Sequence, residues 1–264
     1  YFRPSVSPPF YYLLVSPLSY FSVPTAAWIW AGLMVAALVA AVGLLMRHCR
    51  SHVRDQTSKQ ISAWLLLWLL PAALFFSPVL ESLSSSQKGT LCLLIFTATF
   101  VLWNSRRAFA AGIVFGLIAF KPQLALIMVV AALWKRQWNF LFGFSLTCSV
   151  LVGLSLFVGL DVCRQYVQFA LGAGDYMQTL GYDLHKSHSV WGFAELLCPA
   201  GTVIPMLLSC TLAGLILYES GRLLRGRLSP GSEKFGFQSS GIVIATVLLS
   251  PHLFTYDLSL LLLP

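Results

Sequence analysis

The sequence is poor in charge, and poorest in negative charge. Asp, Glu, Lys and Arg make up 10% of its 264 residues, and 9 acidic residues stand against 17 Lys and Arg. A soluble domain carries roughly 25% charged residues, so soluble globular and disordered classes are excluded. With 58% hydrophobic residues, the composition is that of an integral membrane protein. Its apolar runs lack the alternation of barrel strands and predict helices.

Several chemical motifs are missing as well. The 6 cysteines form no CxxC pair and have no metal-ligand spacing. The sequence contains no G-x-S-x-G, no P-loop and no H-E-x-x-H, so hydrolase, ATPase and zincin functions have no support. No metal and no cofactor is expected. The net charge of +8 is explained by basic loops that set membrane topology, and no nucleic-acid partner is expected.

The chain is predicted to be a single all-α transmembrane domain, residues 1–264, built as a polytopic helical bundle of about eight to nine spans. It starts at Tyr1 without a signal sequence and stops at Pro264 inside an apolar run. We therefore expect a piece of a longer protein, truncated at both ends. The predicted spans are 25–46, 60–80, 89–104, 108–120, 122–134, 138–160, 199–218 and 241–250, with an incomplete one from 258.

Basic loops alternate along the chain, and this alternation predicts sidedness. Loops 47–59, 105–107, 135–137 and 219–240 carry most of the Lys and Arg residues. The positive-inside rule places these loops in the cytoplasm and the alternate segments outside. The prediction is a membrane protein with several spans, whose alternate segments face away from the cytoplasm. The remaining basic residues lie in the outer segments, namely Arg3, Lys88, Lys121, Arg164 and Lys186.

The stretch "GLIAFKPQLALIMVV" (116–130) places a lysine and a proline between two apolar runs. One helix over 108–134 would put Lys121 in the middle of the bilayer and break the alternation of basic loops. Two short helices that meet at Lys121–Pro122 preserve it. Each reaches about 20 Å, short of a hydrocarbon core about 30 Å thick. The sequence therefore predicts a short helical hairpin whose tip points into a cavity near the outer surface, because non-helical backbone at that depth needs protein or water around it.

Most of the unusual polar residues lie in the outer segments, where ATP and nucleotide sugars are not available. Any group that the protein transfers must therefore arrive already activated, and a lipid is the expected carrier. Lys121 is either a cation held at the depth of a lipid phosphate or a lysine that snorkels to the interface. For Gln87, a site role competes with simple helix capping by the serines at 84–86.

Two further outer segments carry acid/base residues. His252 and Asp257 flank aromatic residues of an interfacial belt, and the belt does not account for a His and an Asp at a membrane entrance. Loop 161–198 contains Asp183 and His188 and is either a lid rich in acid/base groups or a solvated loop. Its His and Asp spacing is not specific for a metal.

Four segments, taken in order, resemble glycosyltransferase family 87. They are "SPPFYYLLVSPLSYFSVPTAAWIW", "SSSQKGTLCLLI", "AGIVFGLIAFKPQLAL" with the following "LWKRQW", and "SPHLFTYDLSLLLLP". Members are polytopic enzymes of GT-C fold, typified by polyprenol-phosphate-mannose-dependent mannosyltransferases of bacterial cell envelopes. The resemblance implies a hexosyltransferase in the lipid bilayer that moves a sugar, with mannose expected, from a polyprenyl-phosphate donor to an envelope glycolipid or glycan acceptor.

The transfer chemistry assigns candidate roles to residues of the outer segments. A leaving phosphate needs a positioned cation, and the acceptor hydroxyl needs a general base. The resemblance implies an acidic base in a first external loop, expected upstream of Tyr1. The candidates within the chain are Lys121, His252 and Arg3 for the phosphate; Asp257, His252 and Asp183 for catalysis; Gln87, Gln123 and Tyr256 for sugar hydroxyls; and Trp191, with Phe10 and Tyr11, for the sugar face or the lipid groove.

Two other functions stay open at this point. A lipid or solute transporter or flippase also uses broken helices around a polar site, but it predicts internal repeats and polar residues reachable from both sides. No clear repeat is present, and the polar residues cluster on one predicted side. A non-catalytic membrane partner is the second alternative.

Overall fold

The computed structural model describes residues 7–52, 68–172, 187–198, 202–250 and 253–264. In these ranges regular structure is helical, apart from one isolated β-bridge between Ser187 and Phe254, which confirms the all-α class. The α-helices are α1 (Pro9–Val15), α2 (Val23–His52), α3 (68–75), α4 (Ser77–Ser84), α5 (Gly89–Asn104), α6 (Ala108–Gly116), α7 (Pro122–Trp134), α8 (Trp138–Val158), α9 (Leu160–Leu171), α10 (Val190–Leu197), α11 (Ile204–Leu223) and α12 (Glu233–Leu249). Short 3-10 helices cover Ser16–Tyr20, Leu117–Phe120 and Thr255–Leu262.

Three of these helices, α2, α8 and α11, are long and apolar enough to cross a membrane. Helix α5 and the two arms of the predicted hairpin are shorter apolar helices. The arrangement is that of a membrane helical bundle, as the composition predicts.

The predicted spans differ from the helices where local capping sets the boundary. Predicted span 60–80 is interrupted at Phe76, because Pro78 in the first turn of α4 starts a new helix. Predicted span 241–250 is the second half of the longer α12. That helix begins after Ser232, whose hydroxyl accepts a hydrogen bond from the Phe235 N–H at 3.2 Å. The predicted outer loop 161–198 contains most of α9 and all of α10.

The hairpin predicted at Lys121 is present. Helix α6 tightens into the 3-10 turn Leu117–Phe120, and α7 begins at Pro122. Lys121 itself has φ −134° and ψ 72° and so is not helical. Proline disfavours a helical conformation in the residue before it and donates no N–H, so the break falls at Lys121.

Small residues fix how the hairpin packs. A side chain at Gly112 would lie 2.0 Å from the Phe140 carbonyl oxygen, and one at Gly116 would lie 2.5 Å from Thr147. The contacts therefore advance in the same direction along α6 and α8, which run parallel at backbone contact distance. At 21 residues α8 spans about 31 Å, whereas the hairpin arm from Ala108 to Phe120 spans about 20 Å. The hairpin tip thus lies about 10 Å short of the far end of α8.

Helix α1 occupies the space above the hairpin tip. The Phe10 N–H donates to the Ser155 hydroxyl near the end of α8 at 3.1 Å. The rings of Tyr11 and Phe120 have centroids 6.0 Å apart. The tip is therefore covered by protein on this side. We call this end of the bundle the hairpin-tip end.

The basic loops meet at the opposite end. Asn104 contacts the Nε2 atom of His48 at 2.7 Å, and its side-chain oxygen accepts from the Gly231 N–H at 2.7 Å. Lys135 donates to the Gly226 carbonyl at 3.1 Å. These contacts join the ends of α2 and α5 to loops 135–137 and 219–240. The basic loops are thereby separated from the hairpin tip by the length of the bundle.

Three helix-to-helix turns share a backbone geometry that usually requires glycine. Ser86, Arg106 and Arg136 have φ of 52°, 61° and 51°. In each turn the following N–H bonds back five residues to a carbonyl, as for Gln137 to Ala132 at 2.9 Å. Glycine is the usual residue at this helix C-terminal position. An ordinary residue there costs about 1–2 kcal/mol.

Replacing Arg106 or Arg136 with glycine is expected to stabilise the protein by about 1 kcal/mol. The gain arises because glycine adopts the left-handed conformation without a steric penalty. The check is the Tm of the purified protein in detergent. Arg107→Gly is the matched control, because Arg107 has φ −100° and gains nothing from glycine. A Tm that falls in all three variants contradicts the prediction.

Candidate anion-binding site

Two lysines precede helices at the hairpin-tip end. Lys88 is the N-cap residue of α5, and Lys121 is the N-cap residue of α7. The first N–H groups of a helix have no partner within the helix and carry a partial positive charge. Each lysine therefore adds a full charge to the positive end of a helix.

Lys121 forms a buried ion pair with Asp257. Its ammonium donates a hydrogen bond to the Asp257 carboxylate, and 8% and 1% of the two residues' surface is exposed. Asp257 lies in the C-terminal 3-10 helix, next to Tyr256. The ring of Tyr256 lies 4.6 Å from the Lys121 ammonium and adds a cation–π contact. Lys121 is therefore held in one position by a charge and a ring.

Lys88 has neutral partners instead. Its ammonium donates to the Ser7 hydroxyl at 2.7 Å and lies 3.9 Å from the centroid of the Tyr11 ring. The Phe120 ring lies 5.5 Å away. Burial, followed by the positive charge of Lys121, lowers the pKa of Lys88 to about 8. The two lysines therefore belong to one electrostatic cluster.

The cluster has more positive than negative charge. Within the described ranges, no carboxylate lies within salt-bridge distance of Lys88, and Asp257 is the carboxylate whose charge acts on it. One carboxylate thus faces two ammonium groups and two helix N-termini. Such an arrangement favours an anion, and phosphate groups are common ligands at helix N-termini. In the part of the chain that the structure describes, no group of His, Cys, Asp and Glu residues could hold a metal ion.

Gly89 brings the cluster together by leaving room for backbone. A side chain there would lie 2.4 Å from the Tyr256 carbonyl oxygen and 3.1 Å from the Ser259 hydroxyl. The Gly89 N–H donates to the Ser82 hydroxyl at 3.1 Å. The start of α5 therefore packs directly on the segment that carries Asp257. Ser82, rather than the serines at 84–86, satisfies this N–H group.

A short bridge joins the C-terminal segment to the start of α10. Ser187 and Phe254 form the isolated antiparallel bridge, and the His188 N–H donates to the Leu253 carbonyl at 3.1 Å. The His188 Nε2 atom lies 3.1 Å from the Thr255 hydroxyl. These contacts fix the position of Leu253, Phe254 and Thr255, which lie just before Asp257 in the chain.

The structure brings together some of the predicted site residues. Lys121, Tyr256 and Asp257 are in direct contact. Gln87 directly precedes Lys88 and Gln123 is the second residue of α7; both are half-buried. Tyr11 contacts Lys88, and Phe10, the residue before Tyr11, is buried.

One predicted site residue, Trp191, has no described contact with the cluster. Trp191 is exposed on α10, where its indole N–H donates to Glu195 at 3.1 Å, and none of its described contacts reaches either lysine. Arg3, Asp183 and His252 lie outside the described residues.

Sequence reasoning missed Lys88, Ser7 and Gly89 as parts of the site. A signal for Lys88 was present, since it is one of the few basic residues in the outer segments and directly precedes an apolar helix. No sequence signal distinguishes Ser7 from the other serines near it. The role of Gly89 depends on a contact with a segment distant along the chain.

An all-α membrane protein with a positively charged cluster of two lysines and one carboxylate at one end of its bundle is the class that the fold and site define. The chain belongs to glycosyltransferase family 87, whose sequence model matches residues 6–251. It is therefore a membrane glycosyltransferase, with a sugar donor and an acceptor, as the motifs indicate. The matched range includes Lys88 and Lys121. Neither curated proteins nor solved structures provide a match to the chain.

Gly89→Ala is expected to lower sugar transfer at least tenfold and to lower stability by about 1–3 kcal/mol. The added methyl group displaces the Tyr256 backbone and moves Asp257 away from Lys121. Transfer rate and Tm of the full-length protein are the measurements. Gly153→Ala in α8 is the control, because a side chain at Gly153 meets nothing within 4 Å. Unchanged transfer in Gly89→Ala would show that the contact does not position the pair.

Breaking the buried pair is expected to cost more than removing it. Lys121→Met or Asp257→Leu leaves one buried charge unpaired, at a cost of about 3–5 kcal/mol. The double variant removes both charges and is expected to recover most of the Tm but not the transfer activity. For the same reason, Lys121→Ala alone tests folding as well as ligand binding.

The control for these variants is Arg164→Met, which breaks an exposed ion pair between Arg164 and Asp161 and changes the Tm little. A double variant whose Tm falls by the sum of the two single losses contradicts the coupling. A double variant with full activity excludes the pair from the reaction.

Proposed function

We propose that this protein transfers a hexosyl group, with mannose expected, from a polyprenyl-phosphate donor to a glycolipid or glycan acceptor. The reaction takes place on the extracytoplasmic face of the cell inner membrane. The observation that carries the proposal is the surplus positive charge buried between Lys88, Lys121 and the N-termini of α5 and α7. The family supports sugar transfer, and the charge of the lysine cluster supports a phosphate as the leaving group.

The lysines act on the leaving phosphate. As the bond between the sugar C1 and the phosphate oxygen breaks, the departing phosphate gains negative charge. Lys121 and Lys88, each at the positive end of a helix, stabilise that charge without a proton transfer. The acceptor oxygen forms the new bond to C1, and its proton passes to a general base.

Asp257 holds Lys121 in position for the phosphate. Its carboxylate already accepts a hydrogen bond from the ammonium, and the pairing keeps the lysine side chain in a single orientation. The base is therefore a separate group. Within the chain Asp183 is the candidate for this base, and His252 and Arg3 stay candidates for further phosphate contacts.

The depth of the hairpin tip supports a donor carried by a lipid. The hairpin tip lies about 10 Å short of the end of α8, at a level that a lipid phosphate can reach while its prenyl chain stays in the bilayer. Around this end several aromatic side chains are exposed, including Tyr12, Tyr20, Phe21 and Trp28. Aromatic rings of this kind lie at the level of lipid headgroups.

Sidedness supports the same donor class. The basic loops collect at the end opposite to Lys121, and the positive-inside rule assigns such loops to the cytoplasm. The lysine cluster then lies on the side on which nucleotide sugars are absent. Gln87 and Gln123 flank the two lysines and are placed to hydrogen-bond sugar hydroxyls.

The pH dependence of the donor kinetics tests the role of Lys88. With polyprenyl-phosphate mannose and an envelope lipid acceptor, kcat/KM for the donor is expected to fall above pH about 8, by up to tenfold per pH unit. The fall follows because the deprotonated amine no longer attracts the phosphate, while the donor phosphodiester does not titrate in this range. Lys88→Arg is expected to abolish the fall, since a guanidinium stays protonated.

Lys135→Arg is the matched control, because Lys135 lies at the opposite end, where it donates to Gly226. It should keep the wild-type pH profile. A fall that persists in Lys88→Arg excludes Lys88 as its cause. Transfer from a nucleotide sugar but from no polyprenyl-phosphate sugar would overturn the donor class.

A further inference from the structure

Helix α9 begins where a membrane-spanning helix ends. Helix α8 stops at Val158, and Gly159 has φ 134°, a conformation that is open mainly to glycine. The chain turns there and α9 starts at Leu160. The N-terminus of α9 is therefore at the level at which α8 leaves the hydrocarbon core.

Helix α9 has three distinct faces, and none of its residues is fully buried. One face is half-buried where α9 packs on α1 and α8, and it consists of Cys163, Tyr166 and Phe169. A second face is polar and lies within a sector of about 100°; it consists of Asp161, Arg164, Gln165 and Gln168. The third face is apolar and exposed, and it consists of Leu160, Val167 and Leu171, which are 63%, 52% and 85% exposed.

The third face needs an apolar environment that the described part of the chain does not provide. Phe157 in the last turn of α8, three residues before Leu160 along the chain, is 88% exposed as well. With 12 residues α9 is about 18 Å long, too short to cross a membrane. Its exposed polar face carries the ion pair of Arg164 with Asp161 at 3.7 Å, which favours water. A short helix with separate polar and apolar faces is typical of the membrane interface.

We propose that α9 lies in the membrane interface at the hairpin-tip end of the bundle. Leu160, Val167 and Leu171 insert among the acyl chains of that leaflet, and the polar face contacts water. The occupant of the apolar face is lipid, because the face continues the surface of a membrane-spanning helix. This contact is a membrane-binding surface and is separate from sugar transfer.

The position of α9 in the leaflet fixes the depth of the lysine cluster in the membrane. Helix α1 contacts α8 and α9, and Tyr11 of α1 covers the Lys88 ammonium. Helix α1, which has 7 residues, therefore connects α9 at the membrane interface to the lysine cluster.

Spin-label accessibility tests the proposal in the full-length protein. Single cysteines at 160, 167 and 171 are compared with matched controls at 165 and 168, with every native cysteine except the buried Cys92 replaced by serine. The labelled proteins are placed in vesicles of phosphatidylcholine and phosphatidylglycerol. The accessibility to oxygen relative to a water-soluble nickel chelate is expected to be several-fold higher at the first three positions. Equal ratios at all five positions, or low accessibility to both agents at 160, 167 and 171, would overturn the proposal.

Lipid photolabelling of the unmodified protein gives a second and independent test. The probe is a phosphatidylcholine with a diazirine in its acyl chain close to the headgroup. Mass spectrometry is expected to find carbene insertion at Leu160, Val167 and Leu171 and little at Gln165 and Gln168. Insertion in α8 without insertion in α9 would place the helix away from the bilayer and contradict the proposal.

Discussion

The ion pair between Lys121 and Asp257 is the interaction on which the rest of the site depends. It joins the tip of the hairpin to the C-terminal 3-10 helix across the bundle. Once this pair is formed, Tyr256 lies over the lysine and the backbone before Asp257 packs on Gly89. That contact in turn places the first turn of α5, and with it Lys88, next to Lys121. A buried charge pair is not a strong source of stability in itself, but here it fixes which segments meet.

The length of the hairpin explains why Lys121 is buried. Two full-length spans in place of α6 and α7 would carry Lys121 to the membrane surface, where water would solvate it. Because the arms are short and the glycines of α6 hold them against α8, the tip stays below that level and α1 covers it. The burial of the Lys121 charge, its depth in the membrane and its cover by α1 therefore follow from the break before Pro122. This break ends both arms of the hairpin at about 20 Å.

Much of this fold could be predicted from local signals, and the failures have physical causes. The hairpin follows from a lysine and proline between apolar runs and from the alternation of basic loops. Asp257 and Tyr256 stand out as polar residues before an apolar run, but their contact with Lys121 depends on tertiary packing. The contacts of Lys88 could not be predicted for the same reason, because Ser7 and Tyr11 lie in a segment distant along the chain. Most of helix α9 lies within a segment predicted as a loop, because its 12 residues include Asp161 and Arg164 and are too short and too polar for a membrane span.

The separation of the paired residues also has a consequence for biosynthesis. Lys121 and Asp257 are 136 residues apart. At a synthesis rate of about 5–20 residues per second, roughly 7 to 27 s pass between the two. During that time the hairpin has entered the membrane with a lysine whose partner has not left the ribosome. The hairpin can reach its final depth only after the C-terminal helices have been synthesised. It therefore packs late, although it is synthesised in the middle of the chain.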